Sequence, residues 1–155
     1  MDFRITGLDA REFTHLTRLS DEELARHRAV RCVCDGKPGF PCRVSLEDAE
    51  PGEEVLLLNY EHLPVDSPYR SSHAIYVRSA ATRSFDGVNT VPGALRERLL
   101  SVRAFDARGF ILDAEVVEGA ALPPLVERFL GDDRVAFLHA HFARRGCFAA
   151  RIDRA

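Results

Sequence analysis

The stretch that most constrains this chain is its last, Val135 to Ile152, which reads VAFLHAHFARRGCFAARI. Alternation sets Val135, Phe137, His139 and His141 on one side of an extended strand, and Ala136, Leu138, Ala140 and Phe142 on the other. The return segment divides the same way, Cys147, Ala149, Arg151 and Asp153 against Phe148, Ala150 and Ile152. A three-residue loop, Arg144-Arg145-Gly146 with Gly146 left-handed, pairs Ala143 with Cys147, His141 with Ala149 and His139 with Arg151. This register keeps both apolar sets on one side, as a half-buried sheet requires; a slip of one residue puts the histidines among Phe148, Ala150 and Ile152. The expected hairpin presents a polar face of two imidazoles, a guanidinium and a carboxylate. That face is the first candidate site.

Upstream, Phe3 to Leu8 alternates as a short strand. Asp9 is placed to cap a helix over Ala10 to Arg18, and Ser20-x-x-Glu23 is a capping box for a second helix over Asp21 to His27. Ala29 to Asp35 is strand-like, with Cys32 and Cys34 as small apolar core residues. Glu54 to Tyr60 (EVLLLNY) reads as a strand buried on both faces, and His73 to Val77 as another, with His73 a hydrogen-bonded core histidine. Ala80 to Thr90 is loop-like. Pro92 opens a helix through Leu100, and Pro123-Pro124 open one through Leu130. Between them Ser101 to Val117 forms a hairpin pairing Asp106 with Phe110, Ala104 with Leu112, and Arg103 with Asp113. Strands rarely alternate with helices one for one, which disfavours a parallel sheet. The expected fold is α+β: one domain over residues 1–155, with a mainly antiparallel, curved sheet of about seven strands and helices on one side.

With 155 residues the chain is long enough to bury roughly 70% of its unfolded surface. A net charge of −3 with no basic block argues against a nucleic-acid-binding domain. No apolar run reaches the ~18 residues of a membrane span, and residues 1–20 lack the apolar core of a leader, so a cytoplasmic location is expected. Four cysteines, Cys32, Cys34, Cys42 and Cys147, are too few and too irregular for a disulfide scaffold or a paired C-x-x-C zinc site. No cofactor motif is present, so the cofactor and the oligomeric state stay open.

The blocks PGFPCRVSLEDAEPGEE and HAHFARRGCFAARIDR carry a resemblance. The chain resembles the bacterial family known as domain of unknown function 1203, over Phe3 to Arg154. The resemblance implies a stand-alone bacterial protein and names no reaction and no catalytic residue.

Candidate chemistry therefore rests on the residues. His139 and His141 lie roughly 6.7 Å apart on one strand face, a spacing that suits two ligands of one metal. A third ligand is needed, and Cys147, Asp153, His73 and Cys42 are available without a diagnostic spacing. The same pair without metal could serve as acid and base, with Arg151 binding a carboxylate or phosphate. Cys42, after Pro41 and beside Arg43, has the surroundings of a stabilised thiolate. The long loop Tyr60 to Arg70 offers Tyr69 and Arg70 for ligand binding. The expected function is a pocket for a small polar or anionic molecule near the H-x-H hairpin, with acid/base enzymology by His139, His141, Arg151 and Cys42. The alternatives are a non-catalytic protein-interaction module and a zinc-binding protein.

Overall fold

A computed structural model describes residues 1–155. Nine strands form two sheets: β1 (Phe3–Thr6), β2 (Ala29–Val33), β3 (Glu54–Leu63), β4 (Ser71–Arg78), β5 (Asp86–Val88), β6 (Leu99–Phe105), β7 (Ile111–Glu118), β8 (Phe137–Phe142) and β9 (Phe148–Arg154). The larger sheet has the order β5-β1-β9-β8-β6-β7 and the smaller β2-β3-β4. All strand pairings are antiparallel, in agreement with the α+β expectation. The strands number nine rather than about seven, and they divide between two sheets rather than forming one.

Helices are short. Residues Asp21–Arg26 form α1, where the Ser20/Glu23 capping box closes as the sequence requires, Glu23 N donating to Ser20 Oγ at 3.2 Å and Ser20 N to Glu23 Oε2 at 2.8 Å. Two 3₁₀ turns, Ala10–Glu12 and Leu16–Arg18, replace the single helix expected before it. The helix opened by Pro92, α2, spans only Gly93–Arg96, because the apolar pair Leu99-Leu100 is taken into β6. The supposed loop 80–90 contains β5. The amphipathic α3 (Leu122–Leu130) starts at its two prolines as expected. No helix is long and apolar enough to cross a membrane.

The core has two main parts. Leu125, Val126, Phe129 and Leu130 of α3 belong to one cluster with Leu138, Ala140, Ala150 and Ile152 of β8 and β9. The other cluster lies under the smaller sheet, around Leu24, Leu56, Leu58 and Ile75. Rings of β3 and of the hairpin meet where the sheets join, so β8 is buried along its whole length on both faces. The half-buried hairpin inferred from alternation is therefore overturned on its polar side: His139 and His141 are only 3% and 1% exposed.

The C-terminal register is also corrected. His139 faces Arg151 as expected, but His141 faces Phe148 rather than Ala149. The loop is one residue longer than inferred, closing where Phe142 N donates to Cys147 O and Gly146 N to Phe142 O. A β-bulge at Ala149 absorbs the extra residue, so the pairing returns to phase by Ala140–Ala150. Gly146 has φ +77, the left-handed turn conformation inferred for it. The bulge turns the Phe148 ring onto the histidine side. The β6–β7 hairpin behaves alike: Asp106 N donates to Phe110 O, and then a bulge at Leu112 sets Ala104 opposite Asp113 and Arg103 opposite Ala114. The expected Arg103–Asp113 cross-strand pair does not form.

Candidate functional site

The structure brings the H-x-H pair to a third imidazole, from the stretch Tyr60 to Arg70 that was expected to be a binding loop and whose first residues instead extend β3. His62, near the end of β3, lies with ring centres 6.1 Å from His139 and 5.1 Å from His141, which are themselves 6.2 Å apart. Phe148 stacks on His62 at 5.3 Å, and Phe105 and Phe137 pack against His139. His141 Nδ1 donates to Gly146 O at 2.9 Å, which leaves the lone pair of a neutral ring on Nε2. Ser71 Oγ donates to Tyr69 O, so it accepts from His62 Nε2 and leaves the lone pair of that ring on Nδ1. Those two nitrogens, and His139 Nδ1, have no hydrogen-bond partner in the protein.

Burial is the first cause that holds all three rings below the ordinary imidazole range. His139 is pushed down to about 2, with further push from His141, His62, Arg151 and Arg103. His141 falls to about 3 despite its bond to Gly146 O, and His62 to about 4. All three are neutral at pH 7. No three His, Cys, Asp or Glu side chains in the structure are arranged to hold a metal ion. Of the third ligands considered, Cys147 lies at the pocket described below and His73 is half-buried on β4, its Nδ1 against Ala74 O.

The remaining expected site residues are scattered. Arg151 is exposed, forked onto Asp153 and lying 4.2 Å from the Phe137 ring centre. Arg70 is paired with Glu61 at the surface, and the Tyr69 ring stands edge-on to Phe110. Cys42 is fully buried and accepts from Arg78 N at 3.3 Å. Cys34 is buried as expected, but Cys32 is half-buried; all four cysteines are free thiols.

A second constellation lies at the turn end of the same hairpin. Its centre is Arg43, 2% exposed. The chain fixes this residue from both sides: Arg43 N donates to Tyr76 O, and Leu8 N donates to Arg43 O. Gly7 makes that approach possible, since a Cβ there would lie 2.0 Å from Val44 O. The guanidinium then reaches into the seam between the sheets. Nε donates to Phe148 O at 2.7 Å, Nη1 to Pro41 O at 2.5 Å, and Nη2 to Cys147 Sγ at 2.9 Å. Three of five N–H donors are thus used, and no carboxylate lies within ion-pair distance. Burial pulls this guanidinium down to about 10, against the opposing pull of Cys147 and Cys42.

Arg43 lines a cleft of about 520 Å³, together with Arg98, Arg144, Arg145, Phe142 and Cys147. Arg98 is committed to Asp48 by two bonds of 2.9 and 2.6 Å. Arg144 and Arg145 make no ion pair and are exposed on the turn. The centre of the Phe142 ring lies 4.8 Å from the guanidinium carbon of Arg43 and 5.2 Å from that of Arg98. Neither His139 nor His141 lines this cleft. From sequence, Arg43 could be read only as a neighbour of Cys42, and Arg144-Arg145 only as turn residues. The one signal for them was the concentration of arginine around a Gly-closed turn.

A family model, described as a protein of unknown function (DUF1203), matches residues 39–154. No curated protein and no solved structure matches the chain.

Proposed function

The chain belongs to the DUF1203 family, and we propose that it binds a small anionic molecule in the cleft around Arg43. The single observation behind this reading is a guanidinium almost wholly removed from water with no carboxylate to balance it. An ion in that position costs several kcal/mol unless a counter-charge reaches it. The cleft supplies the route for one, and the unpaired Arg144 and Arg145 on its rim add attraction. Its volume falls in the range of small-molecule sites.

The reading assigns no acid–base step to His139 or His141, whose rings are neutral and buried, and none to Arg151, Tyr69 or Arg70. The metal alternative draws no support from the ring arrangement described above.

Thermal-shift and calorimetric titration with phosphate, sulfate and small carboxylates test the reading. An anion at 100 times its dissociation constant raises stability by about 2.7 kcal/mol. The Arg144→Gln/Arg145→Gln variant, altered only at exposed positions, should keep its fold and bind the same anion at least tenfold more weakly. If no small anion binds, or the double variant binds as the parent does, the pocket reading fails. The interaction-module reading then remains.

A further inference from the structure

We infer that the occupant of this cleft is a zwitterion, a small molecule of the amino-acid or short-peptide class that carries an ammonium group as well as an acidic one. The inference rests on the anion-site reading and sharpens it. Its basis is a pair of carboxylates in the same lining, Glu97 and Glu118. Both side chains are exposed and neither enters an ion pair.

The strand order β9-β8-β6-β7 sets Glu118 on the far side of the cleft from Arg43 and Cys147, while Glu97 also lines a neighbouring hollow with Lys37, Asp48 and Arg78. Glu97 directly follows α2, and its neighbour Arg98 is already forked onto Asp48, so that guanidinium is not free to neutralise it. Glu118 ends β7, directly opposite Leu99 of β6. The hairpin turn is tied to this edge where Ala143 N donates to Leu99 O. Leu100 of β6 faces Phe142 of β8. The lining thus runs from Arg43 and Cys147, past Phe142, to Glu118 at the β6–β7 edge and Glu97 just before β6.

Charge decides the class of ligand. A polyanion such as a nucleotide would bring its extra charge against two unpaired carboxylates, which a specific site uses to reject a wrong ligand. A monoanion held by Arg43, Arg144 and Arg145 makes no use of the two acids in the same lining. A molecule with an acidic group toward Arg43 and an ammonium group toward Glu97 and Glu118 satisfies both ends, and the exposed Leu99 of the same lining offers an apolar surface.

Titration of the full chain at low ionic strength and pH 7 tests this, with each of the twenty amino acids, its N-acetyl derivative and its amide as probes, and phosphate as reference. At least one free amino acid should bind ten times or more tighter than both its N-acetyl derivative and its amide. In Glu97→Gln/Glu118→Gln that advantage over the N-acetyl form should vanish, with N-acetyl binding unchanged or stronger. N-acetyl forms or phosphate binding as tightly as every free amino acid would overturn the inference and leave the anion site standing. A free amino acid retaining its advantage in the double variant would overturn the role given to the two acids. If none of the probes binds, the inference and the anion-site reading fall together.

Discussion

Arg43 Nη2 stands 2.9 Å from Cys147 Sγ, a contact across 104 residues that joins the loop between β2 and β3 to the residue just before β9. Through it and the bond from Nε to Phe148 O, one buried charge ties the loop to the hairpin whose histidines lie farther along the same strands. The pocket and the imidazole cluster are thus two products of one arrangement: the bulge that turns Phe148 onto His62 also sets the Phe148 carbonyl against Arg43.

Replacing Arg43 by methionine removes the charge and keeps the bulk. It leaves Phe148 O and Pro41 O without their donors, at about 1–3 kcal/mol each, partly offset by relief from burying an ion. A net loss of about 1–3 kcal/mol is expected in urea unfolding, with a folded protein remaining that no longer binds anions. Undiminished anion binding by Arg43→Met would show that the guanidinium is structural only.

Acid should weaken the fold earlier than its carboxylates alone would. His139 and His141 titrate near 2 and 3 in the folded protein, below the ordinary imidazole value of about 6.5 in the unfolded chain. The unfolded state therefore takes up protons first. Stability is full above about pH 6.5 and is lost progressively as pH falls toward the folded values. By pH 5 each of these two rings should cost about 2 kcal/mol. The check is denaturant unfolding between pH 7 and 5, repeated on His139→Leu/His141→Leu, which should flatten the slope. An equal slope in the variant would contradict the buried-neutral assignment.

Gly7→Ala should be disproportionately harmful for so small a change. Its Cβ would meet the Val44 carbonyl oxygen at 2.0 Å, and backbone cannot yield as a flexible side chain can. A loss of about 1–3 kcal/mol or more is expected, together with weaker anion binding, because the displaced loop carries Arg43. Stability within a few tenths of a kcal/mol of the parent would refute the close packing.

Thiol labelling should discriminate among the cysteines. Cys32, half-buried, should react first under native conditions, while Cys34 and Cys42, 1% and 0% exposed, wait for unfolding. Faster reaction at Cys42 than at Cys32 would show that the loop bearing Arg43 opens in solution.

Much of this was legible in the sequence and some was not, for physical reasons. Alternation located β8 and β9, Gly146 declared its own turn, and Ser20 with Glu23 declared a helix start. Alternation could not show that the histidine side would be covered by a second sheet, because His reads as polar whether it faces water or three aromatic rings. The bulges at Ala149 and Leu112 were invisible, since alanine and leucine fit either face; at the C-terminus the extra loop residue and the bulge cancel, which is why His139–Arg151 was right and His141–Ala149 wrong. His62 escaped because β3 runs beyond the apolar segment EVLLLNY, carrying it 77 residues from its nearest partner in sequence. Arg43 escaped because nothing in a one-dimensional pattern marks an arginine as buried.

Occupancy of the cleft is read residue by residue in a ¹⁵N-detected NMR titration of the intact chain with phosphate and with the tightest-binding amino acid. Saturable shifts should centre on Arg43, Phe142, Arg145 and Cys147, with His62, His139 and Arg151 little affected. Shifts confined to His62, His139, His141 and Arg151, or no saturable shift at all, would contradict binding in the cleft.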